Sequence, residues 1–325
     1  MSQVFLAKNI EPILERINLN LLGKNVGIKV HFGERGCTTY IDPKLVRAVY
    51  DKVIASGRKA TLIECNVLYK GSRTNSTDHI KTALEHGFNM PIDIVDGEMG
   101  DEFIDLDGCK VGRGLEKYDS LIVLSHVKGH QSAGYGGAIK NLAMGLGSRA
   151  GKLDMHSNLK PLITPDCVGC GKCARNCDVQ AIRLENKKAI IDHNICVGCA
   201  MCIAVCPYGA VEVPWGGRTN EELQRRMVEY TKAILKFRPT ALYINVLENI
   251  TALCDCYGME QPTMMDDVGI LYSDEILSIE QASLDLLNHH SQGEFLKVNE
   301  INKYRQIELA EEAGLGNSKY ELIRL

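Results

Sequence analysis

The chain has 325 residues, of which 45% are hydrophobic and 24% are charged, a composition typical of globular proteins with a substantial core. Its formal net charge of −4 provides no basic field, so neither nucleic acid nor anionic lipid is an expected partner. The first ten residues lack the pattern of a signal peptide, and no apolar run is long enough to span a bilayer, so we expect no membrane association and a cytoplasmic location.

Predicted strands and helices alternate along the first 160 residues. Fully apolar runs predict strands, and apolar residues at helical spacing predict helices, as after Asp42, which caps a helix starting at Pro43. The predicted strands cover residues 26–32, 60–68, 92–95 and 121–125. The predicted helices cover residues 43–56, 78–85 and 141–146. This alternation favours an α/β fold with a mostly parallel sheet.

Residues 167–206 hold eight of the thirteen cysteines, arranged as a repeat. The first run reads C-V-G-C-G-K-C-A-R-N-C and the second reads C-V-G-C-A-M-C-I-A-V-C-P. Each cysteine of the second run follows its counterpart by 29 residues, as expected of a duplicated unit. Both runs have the spacing C-x2-C-x2-C-x3-C of bacterial ferredoxins. Because cytosolic thiols stay reduced, the pattern indicates bound metal rather than disulfides.

This spacing predicts two [4Fe–4S] clusters, since the fourth cysteine of each run ligates the cluster held by the other run. The predicted ligands of the first cluster are Cys167, Cys170, Cys173 and Cys206. The predicted ligands of the second cluster are Cys196, Cys199, Cys202 and Cys177. A zinc ribbon is the alternative, but its zinc ion is bound by two pairs of cysteines, which would leave four of the eight cysteines without a role. Asp178 follows Cys177 where Pro207 follows Cys206, so the two clusters are expected to differ in reduction potential.

The chain beyond the cysteine runs returns to the α/β pattern. Helices are predicted at residues 221–237 and 273–288, the second capped by Ser273, and strands at 241–246 and 268–272. We predict one α/β domain, formed by residues 1–161 and 214–325 and interrupted by a ferredoxin-like α+β insertion at residues 162–213. Three consecutive domains are the alternative, but the short flanks without Gly/Ser-rich linkers favour insertion.

The loop after the predicted strand 121–125 is the first candidate site, because ligands of open α/β sheets bind at the carboxyl ends of strands. The candidate catalytic residues in this loop are His126, Lys128, His130 and Lys140. The candidate cofactor-binding glycines are Gly134, Gly136 and Gly137, which let backbone N–H groups face a ligand. No Walker loop and no dinucleotide fingerprint is present, so neither flavin nor NAD is expected. A glycine-rich structural turn with surface charges is the alternative.

Two further segments carry candidate site residues. Cys254 and Cys256 flank Asp255 and are suited to bind a metal or cofactor, or to line a redox pocket. Two buried cysteines acting as small hydrophobic residues are the alternative. Lys29 and His31 alternate onto one face of the first predicted strand and add charge to the same sheet edge, unless they belong to a solvated strand edge.

These segments together resemble the DUF362 family of iron–sulfur proteins. The resemblance covers nearly the whole chain and rests on the strand with Lys29 and His31, on residues 125–151 and 254–267, and on the internal ferredoxin pair. It implies the α/β architecture with an internal two-cluster segment and implies little about activity.

The glycine-rich loop is also similar to a loop of nickel-pincer lactate racemases, through the pattern H-x-x-x-G-Y-G-G-x-x-K from His130 to Lys140. In those enzymes the loop carries a catalytic histidine and a cofactor-bearing lysine. The resemblance implies that His130 carries a proton and that Lys140 anchors a bound group. The racemases have no ferredoxin segment, so the resemblance indicates where a site lies rather than which reaction occurs.

Three functions are compatible with this pattern. In a ferredoxin-dependent oxidoreductase, electrons from a redox partner protein pass the clusters to a small anionic substrate, which lysines hold and a histidine protonates. In a non-catalytic electron carrier or adaptor, the α/β part only docks a redox partner. In the third function, the clusters have a structural or a sensing role. Convergence of the loop histidines and lysines with Cys254 in one pocket favours the enzyme, and dispersal over the surface opposes it.

Overall fold

The computed structural model of the protein describes residues 2–325. Before residue 162, the strands are β1 (Ser2–Ala7), β2 (Asn25–Lys29), β3 (Lys59–Glu64), β4 (Ile92–Ile94), β5 (Phe103–Leu106), β6 (Cys109–Gly112), β7 (Ser120–His126), β8 (Lys128–His130) and β9 (Gly134–Gly136). The helices are α1 (Ile10–Arg16), α2 (Pro43–Ala55), α3 (Ser76–Glu85), α4 (Ala138–Leu146) and α5 (Arg149–His156). Strands and helices alternate from β1 to β4, as the sequence predicts, and then β4 to β9 follow one another without an α-helix between them.

The cysteine segment forms a small unit in which each half repeats the other. Its elements are β10 (Leu162–Ile163), α6 (Lys172–Arg175), β11 (Ile182–Glu185), β12 (Lys188–Ile191), α7 (Met201–Val205) and β13 (Val211–Glu212). Strands β10 and β13 pair antiparallel, and so do β11 and β12. The residues before the two helices, Gly171 and Ala200, both adopt left-handed backbone with φ of 73° and 60°. The backbone therefore keeps the 29-residue repeat even where the second run replaces glycine by alanine.

The remaining elements follow the cysteine segment in the chain. They are α8 (Asn220–Phe237), β14 (Ala241–Leu247), β15 (Gly269–Ser273), α9 (Ile276–His290), α10 (Glu294–Lys297), α11 (Arg305–Glu312) and β16 (Tyr320–Arg324). None of the helices among residues 2–325 is long and apolar enough to cross a bilayer.

One eight-stranded sheet takes strands from both sides of the cysteine segment. Its order is β16-β1-β15-β14-β7-β2-β3-β4. The neighbours β14, β7, β2, β3 and β4 are parallel, as are β1 and β16, whereas β15 runs antiparallel to both β14 and β1. The predicted α/β fold with a mostly parallel sheet is confirmed.

Two hydrophobic clusters cover the two faces of the sheet. Along β7, Leu121 and Val123 belong to one cluster, and Ile122 and Leu124 belong to the other, because successive side chains of a strand point to opposite faces. Helices α4, α8, α9 and α11 contribute to the first cluster, and α1, α2 and α3 contribute to the second. Both β7 and β14 are buried along their whole length. Burial on both faces explains why these strands read as unbroken apolar runs.

Two strands are shorter than predicted at their carboxyl ends. The strand predicted at residues 26–32 ends at Lys29, and the strand predicted at 60–68 ends at Glu64. In both cases the apolar run continues past the last sheet pairing. Among the residues beyond the last sheet pairing, His31, Cys65, Val67 and Leu68 line the cavity at the edge of the sheet.

The amino ends of helices α9 and α4 also differ from the prediction, because the groups that cap them are not those that the sequence suggested. Ser273 does not cap α9, since the side chain of Glu275 accepts the backbone N–H of Leu277 at 3.4 Å. Helix α4 begins three residues before the predicted 141. There the distant carboxylate of Glu280 accepts the N–H of Ala138 at 2.6 Å. A cap supplied by another helix leaves no local sequence pattern.

Replacing Ile244 with alanine is expected to lower the free energy of unfolding by about 2–5 kcal/mol, because this β14 side chain is fully buried and its loss leaves a cavity. The matched control is Leu184→Ala in β11, whose side chain is 47% exposed and whose loss should cost less than about 0.5 kcal/mol. Urea midpoints of the two variants measure the difference. Equal midpoints would contradict the assignment of β14 to the centre of the core.

Candidate functional site

The carboxyl ends of four adjacent strands, β3, β2, β7 and β14, open on one cavity. Its volume is about 670 Å³. The walls come from the segments that follow these strand ends and from helices α4 and α5, and include His31, Arg73, Lys128, Lys140, His156 and Cys254. This is the place where open parallel sheets bind ligands, because consecutive strand-to-helix loops meet there.

A buried carboxylate connects two of the candidate residues. Asp255 accepts a hydrogen bond from Lys128 Nζ at 2.7 Å and lies 2.8 Å from His126 Nδ1. Thr39 donates to its second oxygen at 3.3 Å. Burial alone would raise the pKa of Asp255, but His126 and Lys128 outweigh burial and hold that pKa below its ordinary value. Asp255 is therefore an anion that fixes both side chains.

The Lys140 ammonium lies beside the first cysteine of the C-x-C pair. Its Nζ is 3.6 Å from Cys254 Sγ. A hydrogen bond from Cys256, opposed by burial and aided by Lys140 and Lys128, lowers the pKa of Cys254 well below that of an ordinary thiol. The same hydrogen bond together with burial raises the pKa of Cys256. The two sulfurs thus differ in character, with Cys254 favouring the thiolate and Cys256 the thiol.

The ring of His130 is held in one tautomer. Its Nδ1 accepts the backbone N–H groups of Ser132 and Ala133 at 3.1 and 3.0 Å. Burial, and then Lys140, lower the pKa of His130 well below 6.5. The ring is therefore neutral and carries its proton on Nε2, which makes it a hydrogen-bond donor toward the cavity.

Positive charge exceeds negative charge around the cavity. Lys29 pairs with Glu64 at 3.0 Å, Arg73 with Glu34 at 3.3 Å, and Lys128 with Asp255. Among residues 2–325, no carboxylate forms an ion pair with Lys140 or Lys152. Lys152 instead donates to the Gly147 carbonyl at 2.7 Å. A site with two cations that lack carboxylate partners is suited to an anionic ligand.

The structure brings nearly all candidate residues of the sequence to this cavity. The residues that line it are His126, Lys128, His130, Lys140, Gly136, Gly137, Cys254 and Cys256, together with His31. Gly134 is not among the lining residues, and its Cα region packs against Lys303. Lys29 is buried in the centre of the sheet and not at a solvated edge, since β2 lies between β3 and β7.

Several charged or aromatic lining residues were missed from the sequence, and four of them lie in two pairs. Arg73 and Tyr69 follow β3, and Lys152 and His156 lie on α5. Arg73 is 1% exposed and donates to Tyr69 Oη at 2.9 Å. The position of residues 65–75 after a predicted parallel strand was an available signal for the first pair. No local pattern marks the second pair, which only the packing of α5 brings to the cavity.

Four of the ferredoxin-like cysteines lie around one small cavity. Cys167, Cys170, Cys173 and Cys206, the set predicted for the first cluster, line this cavity of about 20 Å³. Burial is the main cause that raises the pKa of Cys199 in the second run.

Backbone groups around these sulfurs fit a cluster-binding loop. The N–H groups of Ala181 and Ala210 donate to Cys177 and Cys206 at 3.2 and 3.3 Å, both four residues after the sulfur they contact. A side chain at Gly169 would lie 2.3 Å from the Lys187 carbonyl oxygen. Thiolate donors, N–H groups aimed at sulfur and a close-packed glycine loop are the features that hold iron–sulfur clusters. No three His, Cys, Asp or Glu side chains of residues 2–325 converge as ligands of a single metal ion.

The cysteine segment and the cavity share a wall. Leu68 lines the cavity and also belongs to the apolar core of the cysteine segment. Lys70, another lining residue, donates to the carbonyl of Pro207 at 2.8 Å, next to Cys206. Trp215 lines the cavity from the end of the segment and contacts the His156 ring edge-on at 4.9 Å.

Fold and site define an α/β protein with an internal ferredoxin-like segment beside a strand-end cavity. The chain belongs to the family described as a domain of unknown function, DUF362, whose model matches residues 26–285.

Curated relatives match the chain over short stretches. Ferredoxin-2 of Chlorobaculum tepidum is 36% identical over 55 residues, which are 15% of this chain and 89% of that ferredoxin. A component of the ion-translocating oxidoreductase complex of Methanosarcina acetivorans is 37% identical over 60 residues, 18% of this chain and 23% of that component. The chain thus spans about a quarter of that relative. Among solved structures, the lactate racemase apoprotein from Thermoanaerobacterium thermosaccharolyticum aligns with a TM-score of 0.40 and 14% identity over 77% of this chain and 51% of the racemase.

Replacing Asp255 with asparagine is expected to destabilise the protein by about 3–5 kcal/mol, because it leaves Lys128 without its buried counter-charge. The control Asp107→Asn removes an exposed ion pair with Lys236 and should leave the urea midpoint close to that of wild type. Urea midpoints at neutral pH measure both. The difference between wild type and Asp255→Asn should shrink below pH 3.8, where Asp255 becomes protonated on unfolding. A pH-independent difference would show that its charge is not stabilising.

Proposed function

We propose that this protein is an iron–sulfur oxidoreductase that reduces a small anionic substrate in the strand-end cavity. Two [4Fe–4S] clusters, held by the cysteine sets of residues 162–213, supply single electrons when bound. The observation that carries the proposal is the shared wall of Leu68, Lys70 and Trp215 between the cysteine segment and a cavity rich in cations. The iron–sulfur role agrees with the ferredoxin and oxidoreductase relatives.

Lys140 is the proposed anchor of the substrate's negative group. Lys128 is held by Asp255, whereas Lys140 lies on the first turn of α4 with its Nζ 3.6 Å from Cys254 Sγ. Its ammonium can therefore exchange the Cys254 contact for a bound anion without leaving a buried carboxylate unpaired. Gly136 and Gly137 line the cavity just before the helix.

The two loop histidines have different proposed roles. His126 Nδ1 lies at Asp255, and its Nε2 lies 2.9 Å from the Glu248 carbonyl, so both nitrogens are engaged. His126 is therefore a positioning residue. His130 presents a neutral Nε2–H and is proposed to donate a hydrogen bond to the substrate. Because its pKa is lowered, His130 lacks the second, imidazolium proton at neutral pH, so the Lys140 ammonium is the proposed proton source for reduction.

Docking of a redox partner protein is a second candidate function, which one observation favours. Large hydrophobic side chains with high exposure concentrate on the cysteine segment and its flanks. They include Val168 at 55%, Val197 at 50%, Ile195 at 49% and Tyr208 at 56% exposed. Val168 and Val197 are equivalent in the 29-residue repeat, so both cluster loops present an apolar side chain. Such a surface suits a transient electron-transfer partner.

Anaerobically purified protein is expected to contain about eight irons and eight sulfides per chain, because each cubane holds four of each. Cys170→Ser and Cys199→Ser each remove one ligand, and each should abolish a different electron paramagnetic resonance signal of the reduced protein. Cys109→Ser is the matched control, because Cys109 is buried in β6, outside both cysteine runs. About one zinc per chain, with no iron after reconstitution, would overturn the proposal.

The cavity is expected to favour anionic over neutral reagents. Iodoacetate and iodoacetamide deliver similar groups to Cys254, and the ratio of their rates should exceed that of a free thiol several-fold because of the unpaired cations. Lys140→Ala should lower this ratio. A change in the thiolate fraction of Cys254 would alter the rates of both reagents by the same factor and so would leave the ratio unchanged. Lys236→Ala, at an exposed ion pair, should leave the ratio unchanged. A ratio that Lys140→Ala does not alter would contradict the role of Lys140 in anion binding.

A further inference from the structure

We propose that Cys254 and Cys256 form a redox-active dithiol that reduces a small, negatively charged disulfide in the cavity and closes to an intrachain disulfide. The inference rests on the proposed function, since the ferredoxin-like segment supplies the electrons that reopen the pair. It names the substrate class of the cavity as a disulfide that carries anionic groups.

The backbone between the two cysteines is a tight turn. The N–H of Tyr257 donates to the carbonyl of Cys254 at 3.1 Å, the hydrogen bond of a β-turn with Cys254 first and Cys256 third. Two successive Cα–Cα links of about 3.8 Å, folded back by a turn, bring these residues within the Cα separation that disulfides span. Both cysteines line the cavity, so the pair can close while it contacts a ligand.

The charges around the pair distinguish an attacking thiol from a resolving one. Lys140 Nζ lies 3.6 Å from Cys254 Sγ, and Asp255 orients Lys128 on the other side of the turn. These cations favour the Cys254 thiolate, which is the form that attacks a disulfide. Cys256 keeps its proton until a mixed disulfide forms. The same cations attract the anionic groups of the substrate.

Other free cysteines of the large domain lack these features. Cys37 lies 3.5 Å from the Thr39 hydroxyl, and the Cys65 thiol donates to the Leu146 carbonyl at 3.4 Å. Cys109 is enclosed in β6 and does not line the cavity. None of these three has a second cysteine two residues away. A single-metal role for Cys254 and Cys256 finds no third ligand among residues 2–325.

The reaction balances with groups that the chain supplies. The Cys254 thiolate attacks one sulfur of the substrate, forms a mixed disulfide and releases one thiolate. The Cys256 sulfur, after losing its proton, attacks the Cys254 sulfur and releases the second thiolate. The substrate disulfide gains two electrons and leaves as two thiolates, the cysteine pair loses two electrons, and the single proton of Cys256 is released. The intrachain disulfide then takes up two electrons, delivered singly through the ferredoxin-like segment from an external one-electron carrier, and one proton, which restores the Cys254 thiolate and the Cys256 thiol.

The test uses dithiobis(nitrobenzoate), an anionic disulfide whose released thiolate is coloured, on the full chain with its iron–sulfur content intact under anaerobic conditions. We expect about two thionitrobenzoates to be released per chain, and peptide mass spectrometry after alkylation should find Cys254 joined to Cys256. Cys256→Ser should stop at a mixed disulfide on Cys254 with one release. Cys109→Ser should behave as wild type. Recovery of both cysteines as alkylated thiols would overturn the inference.

Reduction of the oxidised protein separates this inference from the proposed function. Titanium(III) citrate should bleach the iron–sulfur absorbance and convert the Cys254–Cys256 disulfide to two alkylatable thiols, and it should fail to convert the disulfide in protein stripped of iron. Bleaching without conversion would overturn the dithiol and leave the iron–sulfur proposal standing. The anaerobically purified protein could instead show no iron–sulfur absorbance and still form the disulfide. This result would support the dithiol and count against the iron–sulfur segment as its source of electrons.

Discussion

The buried carboxylate of Asp255 is the interaction on which the site depends. It ties the loop after β14 to His126 at the end of β7 and to Lys128 in β8. Without this anion, the Lys128 ammonium would lie in the interior without a counter-charge, a cost of several kcal/mol. Asp255 also stands between Cys254 and Cys256 in the chain, so the same contacts hold the turn that carries the two cysteines. One charge therefore positions both His126 and the segment that carries the candidate nucleophile.

Burial divides the basic residues of the cavity into two classes. It lowers the pKa of His31, His130 and His156, in the last case to about 3, so these rings are neutral. Lysines start from a much higher ordinary pKa and remain charged at comparable burial when an anion or thiolate is near. The cavity can therefore hold an anion through lysines while its histidines serve as neutral donors and acceptors. This difference in charge between histidines and lysines follows from desolvation and does not depend on a sequence motif.

The sequence predicted those features that local patterns encode. The apolar run of β7, the Asp42 cap of α2 and the spacing of Cys167 to Cys206 each depend on neighbours in the chain. The strand-end rule then located the loop with His130 and Lys140. What escaped prediction depends on distant partners, such as Glu280 capping α4, Lys152 and His156 reaching the cavity from α5, and β1 joining β15. Gly134 shows the converse, since its φ of 81° and its neighbour Lys303, and not the cavity, favour a glycine there.

The antiparallel pairing of β10 with β13 brings the two ends of segment 162–213 next to each other. A connection of a few residues could therefore join the chain on either side of this strand pair. The free energy of closing a loop grows only slowly with its length, so the length of this segment places little constraint on the formation of the eight-stranded sheet.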